Sequence, residues 1–596
     1  MTNGLEILSS HNIIRGLSFV AFNSLMTNSG TALKISVGTN NLIEENYFGL
    51  ETSGVVRGNH KAISIGAIGN TIRANVISGN HTGINVYAIS GLSNIMQSNR
   101  IGTDPSGTST SPLLRNQYGI YISTFSSGQI IGGPGPGEGN VISGNYHGIY
   151  MYHGGNLIQG NMIGTDISGE QDLGNFVGIV IETTASNNLI GGSSPGMGNI
   201  ISGNGHGIKI FSDHNTIQGN LIGTNQSGDS SIQNTFGIIL QGAAASHNTI
   251  GGPGTYETNL ISGNEFAGIA ILDNAHSNLI QGNLIGSDIS GTTPVSNFTG
   301  ISLYGGFNTI GGTTNAEGNL IAFMDGSSGI RIYEPARGNI IAYNSITENA
   351  HGIIATGNTT LENTISHNEI FNNIGIGIDL YPYGITINDF GDADIGPNTV
   401  LNYPVLHVDQ GVVVGQTCPG CIVEIFLSDD DPVGYGEGKT FLTQVQAQPD
   451  GSFTASVSAP GFCDLITATA TDQDGNTSEF SKQLAVNCFL IEPPWLYPIF
   501  VFIITVFAGI IWAIRRLRPS TPAWLIPIGG VVGAIGLLII AQALPAVRVD
   551  MVPRRGTIPE PPPAECLQYL DADQFAPARE DDFETYDNPS LTWAWA

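Results

Sequence analysis

For nearly four hundred residues, apolar and polar positions alternate over short runs that are broken by Gly-, Asn- and Asp-rich turns. A Gly-Ile step opens most of the longer runs, at Gly83, Gly119, Gly148, Gly178, Gly207, Gly237, Gly268, Gly300, Gly329, Gly352 and Gly375. After each step the side chains alternate, as in Gly207-Ile208-Lys209-Ile210-Phe211. A period of two predicts strands with one face buried. No window longer than about ten residues before residue 490 carries helical periodicity.

The runs repeat. NVISGN begins at 75 and 140, NIISGN at 199, NLISGN at 259 and NLIAFM at 319. Between them fall Ile-Gly-Gly turns (Gly132-Gly133, Gly191-Gly192, Gly251-Gly252, Gly311-Gly312) and IGTD-x-SG turns at Gly102, Gly164, Gly223 and Gly286. The Gly-Ile steps come twice as often, so the finer unit is about half the longer repeat. Strands this short cannot each bury a core. Stacked one above another, they pair with their counterparts a turn later and enclose a continuous apolar interior. The recurrent Asn belongs in such a stack, because Asn side chains hydrogen-bond along a column and Asn tolerates a left-handed bend. About thirteen rungs at roughly 4.8 Å each predict a rod on the order of 60 Å long.

The residues NVISGN, Gly-Ile, IQGN, IGTD-x-SG and NTIGG resemble the right-handed parallel β-helix repeat of bacterial surface proteins, in the superfamily that includes pectate lyases and polygalacturonases. The resemblance covers residues 12 to about 380 and implies a scaffold more than an activity. The expected fold class is all-β: a right-handed parallel β-helix solenoid over 1–380, then a small β-sandwich and two transmembrane helices.

The pattern breaks after Gly377-Ile378-Asp379-Leu380, and residues 381–400 are expected to cap the last coil. Residues 401–490 alternate around Pro-Asp-Gly and Asp-Gly-Asn turns, which predicts an antiparallel sandwich. Its TATATDQDGNTSEFS stretch is similar to the last hairpin of bacterial immunoglobulin-like modules, and the sandwich is expected to act as a stalk. Residues 491–547 contain two uncharged stretches, 495–514 and 523–547, each long enough to cross a membrane. The linker between them carries Arg515, Arg516 and Arg518, which places it on the cytoplasmic side and the β-helix outside. Residues 548–596 are acidic and Pro-rich, expected to be disordered. The opening residues show no secretory leader, so the chain is expected to start inside its repeat.

Composition sharpens this picture. Only 11% of residues are charged, Gly numbers 81 and the net charge is −29. A neutral polar surface with dispersed acidity disfavours nucleic acid as a partner. No cysteine precedes Cys418. Cys418 and Cys421 are expected to form a local bridge, and Cys463 and Cys488 to tie the last strands, in an oxidising compartment.

Candidate chemistry is sparse. Gly205-His206-Gly207 resembles the polygalacturonase Gly-His-Gly signature, but His147 and His351 fill the same slot, which marks a recurring turn residue. The paired carboxylates that glycoside hydrolysis needs are missing from the pattern. Lys209 and Arg331 project from rungs, near Asp213 and Glu334, and are the residues a polysaccharide lyase would use. Asp104, Asp166 and Asp288 recur in register as turn caps. Asp389, Asp392 and Asp394 form one dense acidic cluster whose alternating oxygens suit calcium, and DQDGNTSE at 472–479 reads either as a hairpin turn or as a calcium loop. The functional expectation is a membrane-anchored surface β-helix that presents its solenoid to extracellular polysaccharide or surface proteins. It has no evident catalytic residues and no cofactor beyond possible calcium. The alternative is a surface-held lyase or hydrolase acting on acidic polysaccharide.

Overall fold

The computed structural model describes residues 3–23, 30–87, 91, 93–409, 412–429, 434–457 and 464–486. Three parallel sheets, of 14, 13 and 13 strands, run the length of a parallel β-helix. Each coil contributes a strand of mostly five residues to the first sheet, such as His206–Ile210. It then adds three residues to the second, such as Thr216–Gln218, and two to the third, such as Leu221–Ile222. Leu5–Ile7 pairs with Thr31–Ile35 and, with Ile13–Arg15 and Ser18–Phe19, makes up the first coil.

The interior is a set of isoleucine columns. Ile149, Ile179, Ile208 and Ile238 stand in register on successive strands, each fully buried. The glycine before them has a packing reason. A Cβ on Gly207 would lie 2.4 Å from the carbonyl oxygen of Gly237, and one on Gly148 would lie 2.5 Å from that of Gly178. No side chain fits where successive strands approach that closely.

Three side-chain ladders mark the corners. In one, Asn140 donates to Asn161, Asn161 to Asn199, Asn199 to Asn220 and Asn220 to Asn259, all near 3 Å. Each of these asparagines also donates to a main-chain carbonyl of the preceding coil, as Asn199 does to Ile158. The bend itself falls elsewhere than expected. The left-handed residue is usually the one before the ladder asparagine: His214 before Asn215, His247 before Asn248, Ser277 before Asn278. The ladder side chain replaces hydrogen bonds that the bent backbone cannot make, while its neighbour makes the turn.

The C-terminal end is closed by more than the expected segment. Residues 381–400 supply a short 3-10 turn, Pro397–Val400, whose Asn398 ends one ladder by accepting the Asn363 N–H. The larger cover is the antiparallel module, with a three-stranded and a four-stranded sheet. Phe426 and Phe480 of that module join the β-helix core. Its polar groups meet the main-chain donors of the last coil. Glu424 accepts from His367 N–H, Glu437 from Asn373 N–H, and Glu479 from the N–H groups of Leu380 and Thr386. Asn476 and Thr477 accept from Glu362 and Ile365. The module is therefore a lid on the last coil, where a stalk was expected, and the DQDGNTSE stretch is part of its docking edge. Open strand edges and apolar ends must be covered, which is why the module sits there.

Cys418 and Cys421 form the expected local disulfide. Cys463, Cys488, the two apolar stretches and the acidic tail lie outside the described residues. Among the described residues, no helix is long and apolar enough to cross a membrane.

Candidate binding face

The outward side of the first sheet carries the densest chemistry among the described residues. Strand residues there alternate with the inward isoleucines, and the residue before a strand's glycine, such as His206 or Phe236, also joins this face. Two apolar clusters form on this face, apart from the core. One consists of Tyr150, Val177 and Val180, with Tyr118, Tyr121, Tyr152 and Phe211 packed against it. The other consists of Phe236, Ile239, Ala267, Ala270 and Leu272, with Phe266 and Tyr304 alongside.

Register makes columns of aromatic rings. Tyr118 stacks on His147 at 5.4 Å and Tyr121 on Tyr150 at 6.0 Å, in neighbouring columns. Farther along, Tyr304 and Tyr333 stack at 4.3 Å with nearly parallel rings. Such rings offer flat apolar faces bordered by hydroxyls.

Charged groups are set among these rings. Lys209 lies 5.3 Å over the Phe211 ring, and Arg331 lies 5.1 Å over that of Tyr333. Burial pushes the Lys209 ammonium down, against the pull of Glu182 and Asp273. Tyr150 hydrogen-bonds Glu182, and burial together with that carboxylate raises its hydroxyl far above the usual range. Arg331 donates to the Tyr383 hydroxyl at 2.8 Å. Asp379, two rungs on in the same column, is pushed up to about 6 by burial, partly offset by the Gly384 N–H and Arg331.

The predicted neighbours do not assemble here. Asp213 pairs with Ser186 and His214, and Glu334 with Thr359, so neither serves Lys209 or Arg331. His147, His206 and His351 are strand residues, where turn residues were expected: each opens a first-sheet strand. Burial, then Lys209, lowers His147 and His206 to about 4, so both rings are neutral at pH 7. Tyr150, Glu182 and Asp379 were missed by sequence reasoning. They look like any residue of their columns, and only the neighbours that stacking brings beside them distinguish them.

The recurrent turn acids are structural, as expected. Asp104 accepts from Thr108 and Ser109 N–H, Asp166 from Glu170 and Gln171, and Asp288 from Thr292 and Thr293. A cleft of about 580 Å³ opens beside the Asp166 turn, lined by Glu170, Asp172 and Glu265 among others.

The calcium expectation at Asp389, Asp392 and Asp394 is corrected. Among the described residues no group of three His, Cys, Asp or Glu side chains could hold a metal ion. Asp389 accepts the Ala393 N–H and Asp392 the Asn402 N–H, so main-chain donors engage two of the three carboxylates. Asp472 likewise accepts the N–H groups of Asp474 and Asn476.

No family model matches the chain. Among solved structures, it is similar to full-length tailspike protein 2 from Escherichia coli O157:H7 bacteriophage CAB120, with 9% identity and a TM-score of 0.25. That likeness covers 82% of this chain and 65% of the tailspike, so this chain spans less than two thirds of its length. At that score it carries nothing about ligand or activity.

Proposed function

We propose that this protein is a surface β-helix that holds a glycan chain along the outer face of its first sheet. The observation that carries this reading is the stacked aromatic columns of that face, beginning with Tyr118–His147 and Tyr121–Tyr150. Sugar rings present C–H faces that pack on aromatic faces, and hydroxyls that meet tyrosine hydroxyls. The repeat supports binding of an extended polymer, because each rung offers a similar contact one strand spacing farther on. Anchoring to a membrane through residues 495–514 and 523–547, with the β-helix outside, belongs to this proposal and rests on the apolarity of those stretches alone.

A glycan array probed with the full chain tests the reading. Binding to extended glycans that falls about tenfold on Tyr150→Ala or Tyr152→Ala is expected. Unchanged binding by both variants would remove this face from consideration. A second reading, a glycan-cleaving enzyme, is favoured by one feature: a carboxyl raised to about 6 at Asp379, beside Arg331, suits acid–base work. Product release from acidic polysaccharides, abolished by Asp379→Asn, would establish it in place of simple binding.

A further inference from the structure

Four tyrosines crowd one patch on the outer side of the first sheet. Tyr118 and Tyr121 belong to the strand Tyr118–Ile122, and Tyr150 to His147–Met151, with Tyr152 just beyond its end. Ring centroids are 5.3 Å apart for Tyr118 and Tyr121, and 5.3 Å for Tyr150 and Tyr152. Across the rungs, Tyr118 lies 5.4 Å from Tyr150, and Tyr121 lies 5.8 Å from Tyr152. Tyr150 is buried, whereas the other three rings are half-buried. Every ring of the patch therefore touches another, from the surface down to Tyr150.

The hydroxyl of Tyr150 donates to the Glu182 carboxylate and also meets that of Tyr152. A phenol gives up an electron readily when its proton leaves as well, and a carboxylate already bonded to that proton is placed to take it. The Tyr304 and Tyr333 pair provides a contrast on the same face. Its rings are closer, at 4.3 Å, and its hydroxyls also bond each other. Neither hydroxyl hydrogen-bonds a carboxylate among the described residues, and Arg331 lies over the Tyr333 ring. A cation against a ring disfavours removal of an electron from it.

We infer that the tyrosine patch is an oxidisable site, in which a one-electron oxidant of the high-valent metal class takes an electron from Tyr150, Glu182 takes its phenolic proton, and a second such oxidation at Tyr152 joins the two rings. Each event sends one electron to one oxidant, and the Tyr152 proton leaves to water. The two phenoxyl radicals couple at ring carbons ortho to oxygen, forming one C–C bond. The two ortho hydrogens then move to the oxygens as the rings regain aromaticity, so both hydroxyls are restored. In total two electrons and two protons have left. The coupling carbons flank the hydroxyls, so hydroxyls that already meet hold those carbons near each other. Tyr118 and Tyr121 carry the oxidising equivalent inward from the surface. This site shares its face with the glycan reading but does not rest on it.

The full-length protein is exposed to photogenerated tris(bipyridine)ruthenium(III), a one-electron oxidant, and its peptides are mapped by mass spectrometry. The peptide holding Tyr150 and Tyr152 should become two hydrogens lighter and give no fragments between those residues. Tyr152→Phe should abolish that product. Glu182→Gln should slow its formation by about tenfold or more, because the amide takes up the proton poorly. An unchanged melting temperature shows that each variant is folded. Linkage that forms first between Tyr304 and Tyr333, or oxidation that begins at an isolated exposed ring such as Tyr256, would overturn the site. So would a rate that Glu182→Gln leaves unaltered.

Discussion

Asn199 shows what the repeated asparagine does. Its Nδ2 donates to Asn220 and to the Ile158 carbonyl, and its Oδ1 accepts both the N–H and the Nδ2 of Asn161. The residue is buried, so Asn199→Ala would strand donors and an acceptor that water cannot reach. The expected loss is about 3 kcal/mol, read from denaturant unfolding. A loss below about 0.5 kcal/mol would mean that the ladder tolerates a missing rung. The histidines make the opposite point. His206 was conspicuous beside two glycines, yet its role is to extend an aromatic column toward Phe236 at 5.7 Å.

At the level of the element, the IGTD-x-SG turn is a folded unit held by its own acid. The Thr293 N–H, then Ser290, draws the Asp288 carboxyl down to about 2, below the ordinary carboxylate value. Stability from such a depressed group is present above the unfolded value near 4 and is lost as pH falls through about 2. Asp288→Ala is therefore expected to lower the melting temperature at pH 7, with the difference closing toward pH 2. A difference that persists there would assign the effect to packing. Successive turns of this type also bond to one another, Gln226 N–H to Gly169 O and Ile289 N–H to Gly228 O. A change in one turn should then be felt by the next, two coils away.

On the scale of the whole molecule, the joint between β-helix and lid has a pH dependence of its own. Burial pushes Glu437 up to about 9 and Glu479 up to about 8, outweighing their main-chain donors; Asp429 adds to the first and Asp379 to the second. His367 is raised by its bond to Glu424. Each of these folded values lies above the unfolded one. The contribution of the two glutamates to docking is thus complete below about pH 4 and is lost as pH rises through 8 to 9. Hydrogen exchange at Asn373, Leu380 and Thr386 should quicken, beyond its intrinsic trend, as pH is raised from about 5 to about 9. Glu437→Gln should flatten that response. Equal protection at both ends of the range, after intrinsic correction, would show that the joint does not titrate.

The sequence alone determined the solenoid, its rung spacing, the inward isoleucines and the structural role of Asp104, Asp166 and Asp288. Each of these is a local rule applied in register, and a repeat prints such rules many times over. Tertiary structure decided what local rules cannot reach. Lys209 and Arg331 are separated by more than a hundred residues, yet they become members of one column because stacking turns sequence distance into height. Glu424, Glu437 and Glu479 read as ordinary strand and turn acids until the last coil offers its unpaired N–H groups to them. Asp389 and Asp392, crowded in sequence with Asp394, are taken up by the main-chain donors of Ala393 and Asn402, which sequence proximity does not reveal. Proximity along the chain set the turns, and closure of the stack set the candidate site.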